Sequence, residues 1–163
     1  MRLEEFNAAD RVEAIAALRP CLDIPRWLDE LVDARPYGSV EELVAWAEAA
    51  AAFTTEEVDG ALAQHPRIGE RPAGGGAEAA MSRAEQAGVD PADARVAAAL
   101  ADGNRAYEER FGRVFLIRAA GRSSREILAA LTERLGHTPA EEEPVVADQL
   151  RQIAVLRLKG LLA

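Results

Sequence analysis

Signals that begin α-helices recur along this chain, and they constrain its fold more than any other feature. In a capping box, a hydroxyl side chain accepts a hydrogen bond from the third helical amide, and a glutamate at that position bonds back to the capping residue. The spacing occurs at Ser39, Thr54, Ser123 and Thr138. In "DPADAR", Asp90 can cap a further helix and Pro91 suits its first turn. These starts predict an all-α chain.

Apolar residues at helical spacing fill the intervals between these starts. We predict helices near residues 8–19, 25–34, 40–52, 55–64, 77–88, 91–110, 124–135 and 139–160. The single β-branched or aromatic run is "RVFLIRA" (Arg113–Ala119), which favours an extended segment or a short helix. "RPAGGGAEAA" is predicted to be a loop, because consecutive glycines have high backbone entropy. Without a fixed-period repeat or a linker, residues 1–163 are expected to form a single domain, an irregular helical bundle of about eight helices.

Composition indicates a soluble protein of a reducing compartment. Cys21 is the single cysteine and cannot form an internal disulfide, which is typical of the cytoplasm. The first residues, "MRLEEFNAADRVEAI", are acidic and lack the apolar run of a signal peptide. No segment approaches the roughly 20 apolar residues that span a bilayer. We therefore expect a cytoplasmic protein without a membrane partner.

The charge balance argues against nucleic-acid binding. The chain has 28 acidic and 19 basic residues, a formal net charge of −9. Its arginines are scattered and Lys159 is the only lysine, whereas a phosphate backbone requires clustered basic side chains. We therefore expect no nucleic-acid partner.

Three polar features stand out against this helical background, and the first is His65 in "AQHPRIGER". Pro66 biases the preceding residue toward extended geometry, so the predicted helix must end there. A lone histidine at a helix end is more often a cap or a surface residue, since it can interact with the terminal carbonyls. Taken alone, His65 is best interpreted as structural.

The second feature is "MSRAEQAGV", where Ser82, Glu85 and Gln86 have the spacing i, i+3 and i+4. This spacing places a hydroxyl, a carboxylate and an amide on one helical face. A solvated face is the simplest interpretation of the segment alone. The opposite face, however, is mostly alanine and methionine, which makes a weak core stripe.

The third feature is Arg157 in the last predicted helix. Its position continues an apolar stripe formed by Val146, Leu150, Ile153 and Leu161. A long side chain that reaches solvent near the helix end is one interpretation. A guanidinium that faces inward needs an anion, from the protein or from a ligand. Imidazole, carboxylate and guanidinium together suggest a site for a small anionic substrate, with arginine binding a carboxylate while His and Glu move protons.

Five segments together resemble one protein family. "AQHPRIGER", "SRAEQAG", "NRAYEERFGRVFLI", "ILAALTERLGH" and "QLRQIAVLRLKG" occur in the order and spacing of 2-oxo-4-hydroxy-4-carboxy-5-ureidoimidazoline (OHCU) decarboxylases. The resemblance covers roughly residues 5–160, and the set is specific although each segment is weak. It implies an all-α, cofactor-free and usually dimeric enzyme that decarboxylates the ureidoimidazoline to (S)-allantoin, the last step of urate conversion.

The resemblance also assigns residues to roles. It implies that His65, Glu85 and Arg157 are catalytic. It implies substrate contacts by Pro66, Ser82 and Gln86, and by the backbone of Phe115, Leu116 and Ile117. Three places depart from the family pattern: Arg67, where some members are acidic; His137, where asparagine is common; and the glycine-rich "AGGGAE".

The implied substrate suggests how such residues act. It carries a carboxylate and a hydroxyl on one ring carbon beside a C=N bond, which is an internal electron sink, so neither metal nor pyridoxal is required. Arg157 is expected to bind the substrate, and His65, paired with Glu85, to take the hydroxyl proton as CO2 leaves. A metal site of His65, His137 and Glu85 is disfavoured, because the spacing is unlike that of metal ligands.

Two alternatives remain open from the sequence. One is a hydrolase or lyase that acts on a related ureido compound with the same three residues. The other is a non-catalytic helical interaction module, which predicts a large exposed apolar patch and no small-molecule binding.

Overall fold

Nine α-helices and no β-strand occur in the ranges that the computed structural model describes, residues 1–70, 75–89 and 93–163. The helices are α1 (Leu3–Ala8), α2 (Arg11–Leu18), α3 (Pro25–Asp33), α4 (Val40–Ala49), α5 (Thr55–Leu62), α6 (Ala77–Glu85), α7 (Ala94–Phe111), α8 (Ser124–Arg134) and α9 (Pro139–Leu161). The all-α prediction is confirmed. The nine helices are consistent with the expected bundle of about eight, and α1 is the helix that lay outside the predicted ranges.

The capping boxes explain why these helices begin where they do. At the start of α5, the Glu57 amide donates to Thr54 Oγ1 (3.1 Å) and the Thr54 amide donates to Glu57 Oε1 (2.9 Å). The same reciprocal pair of bonds precedes α8 and α9. At α4, Ser39 accepts from the Glu42 amide, but the Glu42 carboxylate bonds to the amide of Gly38. The predicted starts at Thr54, Ser123 and Thr138 are thus confirmed in full.

The start of α7 differs from the prediction. Asp93 caps the helix by accepting from the Arg95 amide (2.8 Å), so the helix begins at Ala94. The proposed cap at Asp90 and Pro91 lies outside the described residues, as do residues 71–74 of the predicted loop. At its other end α7 stops at Gly112, whose φ of 70° is in the left-handed region that favours glycine. Residues 114–119 then run as irregular chain, so the helical alternative for this segment is wrong.

The chain divides into two units, of which one comprises Met1–Ala61 and Leu150–Ala163. In this unit α2 packs on α3 and α3 packs on α4. Trp27, on α3, is buried with 1% of its surface exposed, whereas Trp46, on α4, is 51% exposed. The other largest fully buried side chains of the unit are Phe6, Leu18, Ile24, Leu28, Leu31, Leu43 and Leu150. The only cysteine, Cys21, is buried and forms no disulfide.

The other unit is Leu62–Gln149, and its core lies between α7 and α8. The buried cluster contains Ile68, Val89, Val96, Leu100, Tyr107, Phe115, Ile117, Ala119, Ile127 and Leu131. A Cβ at Gly103 would lie 2.5 Å from Leu131 Cδ2, so glycine permits the close approach of the two helices. None of the helices in the described ranges is long and apolar enough to cross a membrane.

Candidate functional site

His65 lies just beyond the end of α5. The helix ends at Leu62, and the His65 amide donates to the Leu62 carbonyl (3.0 Å) before the chain turns away at Pro66. The side chain of His65 is half-buried. The predicted stop before the His-Pro pair is confirmed, and the imidazole is not a fully solvated surface group.

A cavity of about 390 Å³ is lined by His65, Pro66 and Ser82. Its remaining lining residues are Ala63, Gln64, Gly76, Glu78 and Ala79. Ser82 is only 2% exposed, so the interpretation of its helix face as solvated is wrong at this position. The turn after α5 and the middle of α6 thus place His65 and Ser82 on the wall of one cavity.

Glu85 and Gln86 lie at the end of α6. Glu85 is the last helical residue and Gln86 follows it, and both side chains are half-buried. Gln86 Oε1 accepts a hydrogen bond from the Gly69 amide (3.0 Å). The Nε2 group of Gln86 is a donor that can serve a second partner.

The segment that follows His65 is held by α7 as well. Asn104 Nδ2 donates to the Ile68 carbonyl (2.9 Å), and Asn104 is 7% exposed. Arg67 binds the Glu108 carboxylate with both Nε (2.5 Å) and Nη2 (3.3 Å), and this bond raises the pKa of Arg67. The departure from the family pattern at Arg67 therefore has a structural partner on α7.

Phe115, Leu116 and Ile117 are buried, with 1%, 4% and 4% of their surfaces exposed. The side chains of Phe115 and Ile117 belong to the hydrophobic core, and the Phe115 ring meets the Tyr107 ring edge-on at 5.2 Å. The Leu116 carbonyl accepts from Arg134 Nη1 (2.7 Å). With the side chains packed inward, the backbone is the part of this segment that can contact a ligand.

A buried ionic network, which was not predicted from the sequence, adjoins this segment. Glu142 Oε1 accepts from Tyr107 Oη (2.7 Å) and from Arg134 Nε (2.7 Å), and Glu142 Oε2 lies 2.9 Å from His137 Nδ1. Glu142 is 2% exposed and Arg134 5%. Burial would raise the pKa of Glu142, but the bonds from Arg134, Tyr107 and His137 outweigh it and hold that pKa below its usual value. Burial and the bond to Glu142 raise the pKa of Tyr107.

A signal for this network was present in the sequence. Ile127, Leu131 and Arg134 advance along α8 by four and then three residues, and all three are buried. Arg134 thus occupies an apolar position of its helix, as Arg157 does in α9.

Arg157 belongs to the unit of Met1–Ala61 and Leu150–Ala163. It is 5% exposed, so the interpretation as a side chain that reaches solvent is wrong. Its Nη1 donates to the carbonyl of Pro20 (2.8 Å). The inward-facing guanidinium therefore has at least one acceptor within its own unit.

Metal ligation has little support in the described ranges. No group of three or more His, Cys, Asp or Glu side chains in residues 1–70, 75–89 and 93–163 is placed to hold a metal ion. His137 is bonded to Glu142, as described above, and is not a member of such a group.

Two relatives share part of this sequence. The chain is 39% identical over 106 residues to the 2-oxo-4-hydroxy-4-carboxy-5-ureidoimidazoline decarboxylase of Amia calva, a match that covers 64% of this chain and 61% of the relative. It is 33% identical over 105 residues to the uric acid degradation bifunctional protein TTL of Arabidopsis thaliana, covering 62% of this chain and 32% of that protein. The chain therefore spans less than two thirds of the length of either relative.

Two solved structures share the fold. One is OHCU decarboxylase crystallised in the presence of (S)-allantoin, with a TM-score of 0.68, 24% identity, and coverage of 88% of this chain and 94% of that one. The other is (S)-allantoin synthase, with a TM-score of 0.68, 16% identity, and coverage of 99% of this chain and 54% of that one. The family model for OHCU decarboxylase matches residues 7–159. The chain belongs to the OHCU decarboxylase family.

Proposed function

We propose that this protein is a carboxy-lyase of urate degradation, which converts OHCU to (S)-allantoin without a cofactor. The observation that carries the proposal is the cavity shared by His65, Pro66 and Ser82 in a chain of the OHCU decarboxylase family. The relative from Amia calva is named for this activity, and a structure of similar fold was determined with (S)-allantoin.

His65 is the proposed general base. His65 lines the cavity, and its backbone is held by the hydrogen bond from its amide to the Leu62 carbonyl. Glu85, from the end of α6, is proposed to bind the imidazole, which would set its tautomer and raise its basicity. A positioned general base of this kind typically contributes about 10²–10⁴-fold to a rate.

Substrate binding is proposed for several further groups of the chain. Pro66 and Ser82 line the cavity, and Gln86 would contribute its Nε2 group as a donor. Backbone groups of residues 115–117 are proposed to bind the ring. Arg157 would bind the substrate carboxylate through its planar fork of donors.

The proposed reaction balances without an external electron acceptor. The bond between the ring carbon and the carboxylate breaks, CO2 leaves, and the electron pair forms a C=C bond to the neighbouring ring carbon. The π pair of the former C=N bond moves to its nitrogen, which takes a proton from the solvent. His65 takes the proton of the hydroxyl, which becomes the product carbonyl. A proton is delivered to the neighbouring carbon from one face, and this step sets the S configuration.

Three further properties are proposed. We infer one family domain over residues 1–163, which is supported by the match over 7–159. A cytoplasmic location is supported by the presence of a single cysteine, Cys21, which cannot form an internal disulfide. A homodimer is supported by the family resemblance.

The test is circular dichroism at a wavelength where allantoin absorbs, while uricase and hydroxyisourate hydrolase supply fresh substrate. Rapid appearance of (S)-allantoin together with released CO2 is the expected result. Turnover of a related ureido compound without CO2 would favour a hydrolase. Slow, optically silent decay that the protein does not change would overturn the proposed activity.

A further inference from the structure

We propose that Arg134 and Glu142 are positioning residues of this active site. Arg134 holds the Leu116 carbonyl through Nη1 (2.7 Å), and Glu142 holds Arg134 through Nε (2.7 Å). Together they would set the position of backbone residues 115–117. The inference rests on the proposed function, in which these backbone groups bind the substrate ring.

The held segment lacks regular structure of its own. Residues 114–119 belong to neither a helix nor a strand, so their backbone groups have no periodic partners. Side chains supply partners instead: Arg134 donates to the Leu116 carbonyl, and Gln149 accepts from the Arg118 amide (2.9 Å). The location of this backbone therefore depends on the side chains that bind it.

The orientation of Arg134 is fixed on several sides. Its guanidinium lies 4.6 Å from the Phe115 ring centroid and 5.8 Å from that of Tyr107. Its Nε and Nη2 face the Glu142 carboxylate, with Nη2 at 2.5 Å from Oε1. A planar group bound by an ion pair and by two aromatic rings has little freedom, so the carbonyl it binds is fixed too.

Glu142 is in turn fully engaged. Tyr107 from α7 and Arg134 from α8 bind one carboxylate oxygen, and His137 binds the other. Glu142 lies in the first turn of α9, where the helix dipole favours a negative charge. Three helices thus converge on one buried carboxylate, which orients the arginine that binds Leu116.

Stability alone is a weak explanation for this arrangement. Desolvation offsets much of the attraction within a buried ion pair, and apolar residues of similar volume often stabilise a core equally well. What apolar residues cannot supply is a directed donor to the Leu116 carbonyl. Positioning of a ligand-binding backbone is a role that requires the charged pair.

The test compares Arg134→Lys and Glu142→Gln with Ile127→Val. Lysine keeps the positive charge but cannot bind Glu142 and Leu116 with a rigid fork. Ile127 lies on the same helix and is fully buried, so Ile127→Val weakens the same core without removing the bond to Leu116. For each variant, kcat, KM, the enantiomeric excess of allantoin and the thermal midpoint are measured with freshly generated substrate.

We expect Arg134→Lys and Glu142→Gln to lower kcat by at least about 10-fold and to lower the enantiomeric excess, because small displacements in an active site can cost about 10²-fold. Ile127→Val should lower the thermal midpoint and leave kcat and the enantiomeric excess unchanged. In ¹⁵N spectra, the amide signals of residues 115–118 should shift in the two network variants, independently of activity. If Arg134→Lys does not fold, Glu142→Gln gives the same comparison.

Two outcomes would overturn the inference in different ways. If the wild-type protein is stereoselective and a folded Arg134→Lys or Glu142→Gln has the same kcat and enantiomeric excess, only the positioning role is wrong. If the wild-type protein itself forms no (S)-allantoin, the proposed function fails and the positioning role fails with it.

Discussion

Gln86 Oε1 accepts a 3.0 Å hydrogen bond from the amide of Gly69, and this bond joins the end of α6 to the segment that begins at His65. The two elements that line the cavity are thus connected by a side chain that the family resemblance assigns to the substrate. The amide of Gln86 has an acceptor and a donor group. We propose that Oε1 accepts from the Gly69 amide while Nε2 donates to the substrate.

Gln86→Glu separates these two roles. A glutamate keeps an oxygen for the Gly69 amide but lacks the Nε2 donor and adds a negative charge beside an anionic substrate. We expect KM to rise at least about 10-fold, which corresponds to one lost hydrogen bond to a charged group, with little change in thermal midpoint. Gln86→Leu, which also removes the bond to Gly69, should in addition lower the free energy of unfolding by about 1 kcal/mol. An unchanged KM in Gln86→Glu would remove Gln86 from the substrate site.

His65→Ala tests the proposed base. The stereoselective rate should fall by about 10²–10⁴-fold, since general acid–base catalysis contributes this much. Far-ultraviolet circular dichroism and the thermal midpoint should stay close to those of the wild type, because the histidine follows the helix end at Leu62 and is only half-buried. Retention of rapid (S)-allantoin formation by the folded variant would show that the base is another group.

Arg157→Lys tests carboxylate binding by the buried guanidinium. Lysine retains the charge but loses the two-pronged geometry, so we expect a rise in KM of about 10-fold or more. Arg157 also donates to the Pro20 carbonyl. If the lysine does not reach this carbonyl, the free energy of unfolding should fall by at most about 1–3 kcal/mol. Steady-state kinetics and urea titration measure the two effects separately. A loss of stability with an unchanged KM would assign Arg157 to folding alone.

Gly103→Ala tests the close packing of α7 on α8. The added Cβ would meet Leu131 Cδ2 at 2.5 Å, and Leu131 is fully buried, so we expect a net loss of about 1–2 kcal/mol despite the better helix propensity of alanine. Gly60→Ala is the matched control, because a Cβ there has nothing within 4 Å. That control should stabilise the helix by up to about 1 kcal/mol. Equal effects of the two substitutions in denaturant titration would contradict the close contact.

The lowered pKa of Glu142 predicts how stability depends on pH. The carboxylate contributes its full stabilisation above its ordinary value of 4.5 and loses it as the pH falls through the lower value of the folded state. At pH 7, Glu142→Gln should lower the free energy of unfolding by about 3–5 kcal/mol, since Arg134 loses its counter-charge. Below pH 4.5 the difference between wild type and variant should shrink. A difference that does not change with pH in urea titrations would contradict the assignment.

The features that the sequence predicted well are those determined within a few neighbouring residues. The starts at Thr54, Ser123 and Thr138 follow from capping boxes that each span four residues. The break between α1 and α2 had a comparable signal, since Asp10 caps α2 by accepting from the Glu13 amide (2.9 Å). That aspartate was included in one longer predicted helix, and the short α1 was missed.

The site depends on contacts between distant residues, which local patterns do not determine. The burial of Ser82 arises from packing and could not be read from the polar spacing of its segment. Tyr107 and Glu142 are 35 positions apart, and no local sequence pattern around either residue predicts their hydrogen bond. Arg134 was detectable as a charged residue in an apolar stripe of α8. Its partner Glu142 was not, because periodicity shows which face of a helix is buried but not which residues pack against that face.

Both tryptophans of the chain, Trp27 and Trp46, belong to the unit of Met1–Ala61 and Leu150–Ala163, and only Trp27 is buried. A red shift of the intrinsic fluorescence during unfolding therefore originates from Trp27, since Trp46 already emits from a solvated position. The region that contains His65, Ser82 and Glu142 has no indole of its own, so that emission does not report on it directly. A second spectroscopic probe within Leu62–Gln149 is needed to observe that region directly.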